Sequence, residues 1–475
     1  MRKSPFVRWQ LWVLGGITLL LFYRVIAGPP PREGLVVLER MDARSVHDRA
    51  FEVDRAIQVA IEGRASFENN ESGNESLAAY AWIIDADTRE VVWQMAPDNA
   101  TRVKGTLAEV NDVLKLDAGV YHLLFASYGN KLGDRHYQSG GSEAEWENDE
   151  RDWYVVLNLV EGKDTDVRIL DRFTTESRDF ENERVVWQSG AIHNRDHQSF
   201  LFNVDQRTPF RVRATGEISD DEHDFGYIEN KLTDERVWQL TMDNSKAAGG
   251  VNENRQVSEE IYLDPGIYEV AYQSDATHAF GNWKGNPPYD PGSWGISLTT
   301  RDTSEPVRAF DPWETLTPTI AMTPFVNDEL RATTFRVANK QRVFVYGLGE
   351  MKWNDRYDFG WIERSANTNV DITDAEDVYP RSESSVWEMQ YEASVAAGGD
   401  ESNRRAMAFV DLSPDVYTMY YRTDGSQSSA NWSNGEPDNS ERWGITVFAV
   451  NGQPGNIQIL NRIQVNLDEE EEEEE

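Results

Sequence analysis

Two stretches of the chain gather oxygen-bearing side chains behind a tyrosine-rich segment. Asp275 is followed by Asn282 and Asp290, and Asp424 by Asn431 and Asp438. A hard cation such as calcium takes about six to eight oxygens, and loops of this composition supply them. The same residue types also form turns by bonding their own backbone. Calcium is therefore the only cofactor admitted, beside the plainer reading that these residues shape turns. Trp283 and Trp432 sit among Gly, Asn and Pro, with Tyr289 close to the first. Aromatic side chains in such loops are candidates for stacking on sugars, or else fill a core. Trp238, Trp387, Trp294 and Trp443 have apolar strand residues beside them and are expected inside. Arg255 and Arg404 each follow a Gly-Gly bend, and in an acidic chain they are expected to fork onto a carboxylate such as Glu229 or Glu363. An anion is the alternative partner.

No catalytic residue is assigned. With no Cys there is no thiolate nucleophile or metal site, and no disulfide. Asp-Phe-Gly occurs at 224 and 358, but without the glycine-rich loop, lysine and catalytic loop that give the triplet meaning in kinases. His193 and His197 are the only near histidine pair, and no zinc-helix, serine-elbow or phosphate-loop motif occurs. Carboxylates are too abundant for counting to exclude a glycosidase. The expectation is no enzyme, with a secreted hydrolase as the remote alternative.

These residues recur because the chain repeats. Val237 to Leu298 aligns without a gap on Val386 to Val447 at an offset of 149. The match includes Ala247-Ala248-Gly249-Gly250 with Ala396-Ala397-Gly398-Gly399, and Trp294-Gly295-Ile296 with Trp443-Gly444-Ile445. Asp224 to Glu229 matches Asp358 to Glu363 at an offset of 134, so the later copy carries extra residues, expected around Asp371 to Asp377. A drifted first copy shows in Trp82-Ile83, Val92-Trp93-Gln94, Gly119-Val120-Tyr121 and Trp153, with an acidic stretch around Glu143 to Asp152. Apolar residues alternate, as in Phe210, Val212 and Ala214 around Arg211 and Arg213, which is strand spacing. Only 247–260 admits a short helix.

The expected fold is all-β: three tandem antiparallel β-sandwich, jelly-roll-like domains after one N-terminal transmembrane helix. The boundaries are 1–8 for a cytoplasmic N-terminus, 9–27 for a signal-anchor and 28–47 for a linker. Repeat one spans 48–162, repeat two 197–302 and repeat three 331–451. Linkers fill 163–196 and the Pro-rich 303–330, and 452–475 forms a C-terminal segment with an acidic tail. The Leu-x-x-Gly-x-Tyr strand pair and the Phe-x-Val starts at Phe51, Phe202 and Phe335 resemble the bacterial pre-peptidase C-terminal type of β-sandwich, an accessory domain of secreted proteins. That resemblance implies a non-catalytic module.

Arg2, Lys3 and Arg8 precede an apolar run from Trp9 to Tyr23, and the segment reaches Ala27 if Arg24 snorkels to the interface, which puts the N-terminus in the cytoplasm and the rest outside. Val25-Ile26-Ala27 also suits peptidase cleavage, so secretion is the alternative. The net charge of −37 disfavours nucleic acid and favours cations or basic partners. Few of the basic residues are Lys, a balance that suits a salty medium. The expected role is a membrane-tethered spacer or interaction scaffold in a bacterial envelope, contacting envelope proteins or polysaccharide. A carbohydrate- or calcium-binding array is the alternative, and oligomeric state is left open.

Overall fold

The computed structural model of the protein describes residues 31–467 apart from 43, 68–76, 129–152, 171–182, 220–221, 302–306, 354, 373–377, 429–430, 433–434 and 451–454. The expected membrane segment 9–27, the acidic stretch Glu143 to Asp152 and the tail 468–475 lie outside the described residues. Among the described residues no helix is long and apolar enough to cross a membrane.

The first unit holds β1 (Val36–Glu39), β2 (Val46–Val53), β3 (Ile57–Phe67), β4 (Leu77–Asp85), β5 (Val91–Gln94), β6 (Ala100–Lys104), β7 (Leu107–Leu116), β8 (Gly119–Ala126), β9 (Tyr154–Glu161) and β10 (Val167–Leu170). The second holds β11 (Arg184–Gln188), β12 (His197–Val204), β13 (Thr208–Ile218), β14 (Glu222–Asn230), β15 (Glu235–Gln239), β16 (Lys246–Ala247), β17 (Asn254–Leu263), β18 (Gly266–Gln273), β19 (Gly295–Thr300) and β20 (Val307–Ala309). The third holds β21 (Pro318–Met322), β22 (Glu329–Val337), β23 (Gln341–Lys352), β24 (Asp355–Arg364), β25 (Ser385–Glu388), β26 (Ser394–Ala396), β27 (Asn403–Leu412) and β28 (Asp415–Arg422). A small pair, β29 (Gln427–Ser428) with β30 (Asn431–Trp432), precedes β31 (Gly444–Val450) and β32 (Ile457–Asn466).

The three units repeat one antiparallel pairing scheme. In the first, one half runs β1-β9-β3-β7-β6 and the other β10-β2-β8-β4-β5. The halves join at a bulged corner where β3 turns into β4. The second and third units copy the scheme with corners β13–β14 and β23–β24. Each unit is therefore a barrel-like or sandwich-like closure of antiparallel strands on its own core. Alternation drives it. In β13, Phe210, Val212 and Ala214 are buried while Arg211 and Arg213 stay half-exposed. At the corners an added Cβ on Gly216 would meet the Asp224 carbonyl at 2.0 Å, and one on Gly349 the Asp358 carbonyl at 2.0 Å. Only glycine lets the chain fold back this closely.

Three expectations need correction. Residues 247–260 form no helix; they run from the end of β16 through a turn into β17, and the two strands pair as a hairpin arm. The segments expected as linkers supply strands instead: β10 and β11 lie within 163–196, and β20 and β21 within 303–330. Likewise β1 lies within 28–47 and β32 within 452–475. Short edge strands of mixed polarity carry little periodic signal, and in the longer β32 a bulge at Leu460 breaks the alternation. The extra residues of the third unit do fall between Arg364 and Ser385, joining β24 to β25.

The units touch. Phe310, Trp313 and Leu316, on the segment before β21, pack on the third core together with Leu232 of the second unit. Arg342 grips Asp234 across that joint with both terminal nitrogens. Between the first and second units, the Trp82 indole donates to the Tyr289 carbonyl at 2.8 Å, and Arg89 meets Asp290 at 3.4 Å.

Candidate functional site: a buried carboxylate and indole cluster

The second and third units bury the same polar cluster beside the corner strand. Asp224 opens the second half of its unit, one bulge after β13. Its Oδ1 accepts the backbone N–H of Asp275 at 2.7 Å, and its Oδ2 accepts the Trp294 indole at 3.0 Å and the Ser274 hydroxyl at 3.0 Å. Asp358 accepts the Asp424 N–H at 2.8 Å and the Trp443 indole at 3.0 Å. Behind each carboxylate a buried tyrosine ties the corner: Tyr272 donates to the Thr215 carbonyl at 2.8 Å and Tyr421 to that of Leu348 at 2.5 Å. Asp224, Asp358, Tyr272 and Tyr421 are all fully inside.

A glutamate flanks each cluster. Glu217 stands opposite Asn254 and Asp224, and Glu350 opposite Asn403 and Asp358, so the two occupy the same place. Ser402 and Ser426 donate to Glu350 at 3.1 and 3.2 Å. One carboxyl oxygen of Glu217 is buried with no hydrogen-bond partner among the described residues. Burial, opposed by Lys284 and reinforced by Asp224, pushes the Glu217 carboxyl up to about 7. Burial likewise lifts Asp224 to about 6, although three hydrogen bonds pull the other way. Asp358 is pushed well above the usual carboxylate range by burial, and Glu350 is raised for the same reason.

The first unit shows what the fold needs without this cluster. By strand register, Ala79 replaces the aspartate and Ser66 the glutamate. Phe125 stands where the others have tyrosine, and Trp153 keeps the indole, packed against Phe125 with ring centroids 6.3 Å apart. The acid and the phenol disappear together, which leaves apolar packing around the retained tryptophan.

The sequence-predicted residues distribute as follows. Trp283 is not an exposed stacking surface: it is 5% exposed and meets Trp294 edge-on at 5.0 Å. That corrects the sugar-face expectation for this residue, because loop residues with Gly and Pro neighbours can still fold inward as part of a core. Trp432 is half-buried and repeats the contact with Trp443 at 5.0 Å. Tyr289 lies at the joint with the first unit, its ring centroid 6.3 Å from Trp82. Trp238, Trp294 and Trp443 are buried, and Trp387 packs half-buried on the third core.

Asp275 caps its own turn by accepting the Thr277 N–H at 2.6 Å, as Asp424 does for Ser426 at 2.8 Å. Asn282 is exposed, Asp290 is engaged by Arg89, and exposed Asp438 bonds its backbone to Ala397. Asn431 is on β30, and its side chain is outside what is described. Among the described residues no three of His, Asp and Glu are grouped to hold a metal ion.

Arg255 and Arg404 do not reach Glu229 or Glu363. Arg255 donates to the Ser245 hydroxyl at 3.1 Å and its carbonyl at 2.5 Å; Arg404 does the same to Ser394 at 2.9 and 2.6 Å. Each guanidinium thus ties β17 or β27 to the start of the neighbouring β16 or β26 arm. Glu229 instead pairs with Lys231, and Glu363 accepts the Arg381 backbone N–H.

Sequence reasoning missed Glu217, Glu350 and the buried pair next to them. His278 bonds Asn254 Oδ1 through Nε2 at 2.7 Å and accepts the Lys284 N–H on Nδ1 at 3.1 Å, which makes Nε2 the protonated nitrogen. In the third unit Gln427 takes that place at the offset of 149, and neither its amide nor Asn403 Oδ1 has a partner among the described residues. No protein-family model matches the chain, and no curated protein matches it.

Proposed function

We propose that the chain is a non-catalytic, membrane-tethered array of three jelly-roll units that serves as a spacer or interaction scaffold in the cell envelope. The pairing order β1-β9-β3-β7 against β2-β8-β4-β5 supports the jelly-roll reading, in which β6 and β10 are added edges. The tether rests on the charged and apolar pattern of residues 2–27.

One observation carries the scaffold reading. The polar residues that units two and three share, Asp224 with Asp358, Asn254 with Asn403 and Arg255 with Arg404, donate to or accept from the same internal partners in both copies. Their chemistry goes into holding loops against strands. A reactive centre would instead aim such groups at a cleft.

The test has two arms. Fractionation and protease protection of the full chain, with and without residues 1–27, should show membrane retention that depends on that segment. Assays on glycoside, ester and peptide substrates should show no turnover above background, and a glycan panel no binding. Turnover that disappears in Glu217→Gln or Asp358→Asn would overturn the non-catalytic reading.

A further inference from the structure

The strand that ends the third unit differs from its counterparts. At this position the first unit has a strand of 4 residues and the second one of 3, whereas β32 has 10. Among the described residues β32 pairs with β22 alone and ends the strand order there. A free edge offers a row of N–H and C=O groups to any incoming strand, and proteins usually blunt such edges with Lys, Pro, Asp or Glu. β32 reads Ile-Gln-Ile-Leu-Asn-Arg-Ile-Gln-Val-Asn. It has no Pro, no Gly, no Lys and, in a chain with 83 acidic residues, no acid; Arg462 is its sole charge. Its one irregularity is the bulge opposite Thr334 and Phe335. Ile459 is 37% exposed on it.

We infer that this edge is a self-association site, at which β32 of a second copy of the chain adds antiparallel about a two-fold axis. The occupant follows from the order of the residues. Pairing centred on Asn461 sets Ile457 against Val465, Gln458 against Gln464 and Ile459 against Ile463, while Arg462 faces Leu460 rather than another Arg462. Apolar meets apolar and amide meets amide, and no like charges are opposed. With a net charge of −37, two copies repel over most of their surfaces, so an acid-free strand is where they can approach.

Sedimentation equilibrium on the full chain in mild detergent tests this. The wild type should pass from monomer to dimer as concentration rises, more readily at high salt. Gln458→Lys with Gln464→Lys opposes lysines twice across the joint and should raise the dissociation constant roughly ten-fold or more. Gln458→Glu with Gln464→Lys opposes unlike charges and should restore the dimer. Both variants keep Lys at 464 beside Glu329, so an unchanged melting temperature in each separates pairing from folding. A dimer indifferent to the double lysine would overturn the proposal. So would a monomer at every concentration and salt, which would leave the edge to a strand of another protein.

Discussion

The Trp294 indole donates to the buried carboxylate of Asp224 at 3.0 Å, and Trp443 repeats the bond to Asp358 at 3.0 Å one unit later. The first unit keeps Trp153 in that place and has Ala79 in place of the acid. Closure of the strands therefore does not need the carboxylate; what the carboxylate adds is a tie to the backbone of Asp275 or Asp424, where the loop that returns to the tryptophan begins.

Asp224→Ala removes the acceptor but leaves the indole and backbone donors inside. A stranded buried donor costs about 1–3 kcal/mol, so the second unit should lose about 2–4 kcal/mol. Adding Trp294→Phe removes one of those donors. A double-mutant cycle by urea unfolding should then give a coupling of about 1–2 kcal/mol between the two sites. Additive losses would show that the bond contributes nothing.

The raised carboxylates fix the sign of a pH effect. Asp224 moves from 3.8 to about 6 and Glu217 from 4.5 to about 7 on folding, so in between the folded chain holds more protons than the unfolded one. Stability contributed by these groups is complete at acid pH and falls as pH rises from about 4 to about 7, by about 3 kcal/mol for a buried carboxyl displaced as far as that of Asp224. Glu183 works oppositely. Burial acts to raise it, but bonds from Thr299, Arg213 and Arg211 outweigh this and leave it lowered, so its contribution is lost on acidification. Asp224→Asn should flatten the slope between pH 4 and pH 7 in thermal melts without moving the acid-side loss.

How far these features were legible depends on spacing. The gapless offset of 149 exposed the arm that holds Asn254 and Arg255, and apolar neighbours marked Trp294 and Trp443 as core. Ser245 and Ser394 recur at that same offset and are the true partners of the two arginines, yet an acidic chain directs attention to carboxylates. Glu217 and Glu350 precede the aligned segments, and a Gly-Glu pair carries almost no information by itself. Trp283 was ambiguous because its loop composition speaks for exposure while packing against Trp294 is a tertiary matter.

Arg342 reports on the joint between the second and third units. Its guanidinium bridges Asp234 of one unit and Asp411 of the other, over the ring of Phe409. Asp234 remains half in water, so Arg342→Ala should cost only about 1 kcal/mol of joint stability. The larger effect is on orientation. Small-angle scattering should show a broader spread of distances in the variant, and the wild type should approach it as salt is raised.

Gly250 and Gly281 separate conformational strain from collision. Both have positive φ, +72 and +76, where any other residue costs about 1–2 kcal/mol. At Gly281 an added Cβ meets nothing closer than the His193 ring at 3.8 Å. At Gly250 it would lie 2.2 Å from the Pro287 carbonyl and 2.3 Å from that of Asn286, both backbone atoms of the loop that reaches the first unit through Tyr289. Gly281→Ala should therefore lower stability by about 1 kcal/mol. Gly250→Ala must displace the loop, so it should cost about 3 kcal/mol or more and also weaken the contact of Tyr289 with Trp82. Calorimetry on the two variants, with limited proteolysis across the first joint, distinguishes them. Equal losses with the joint intact would mean that backbone strain alone explains the Gly-Gly bend.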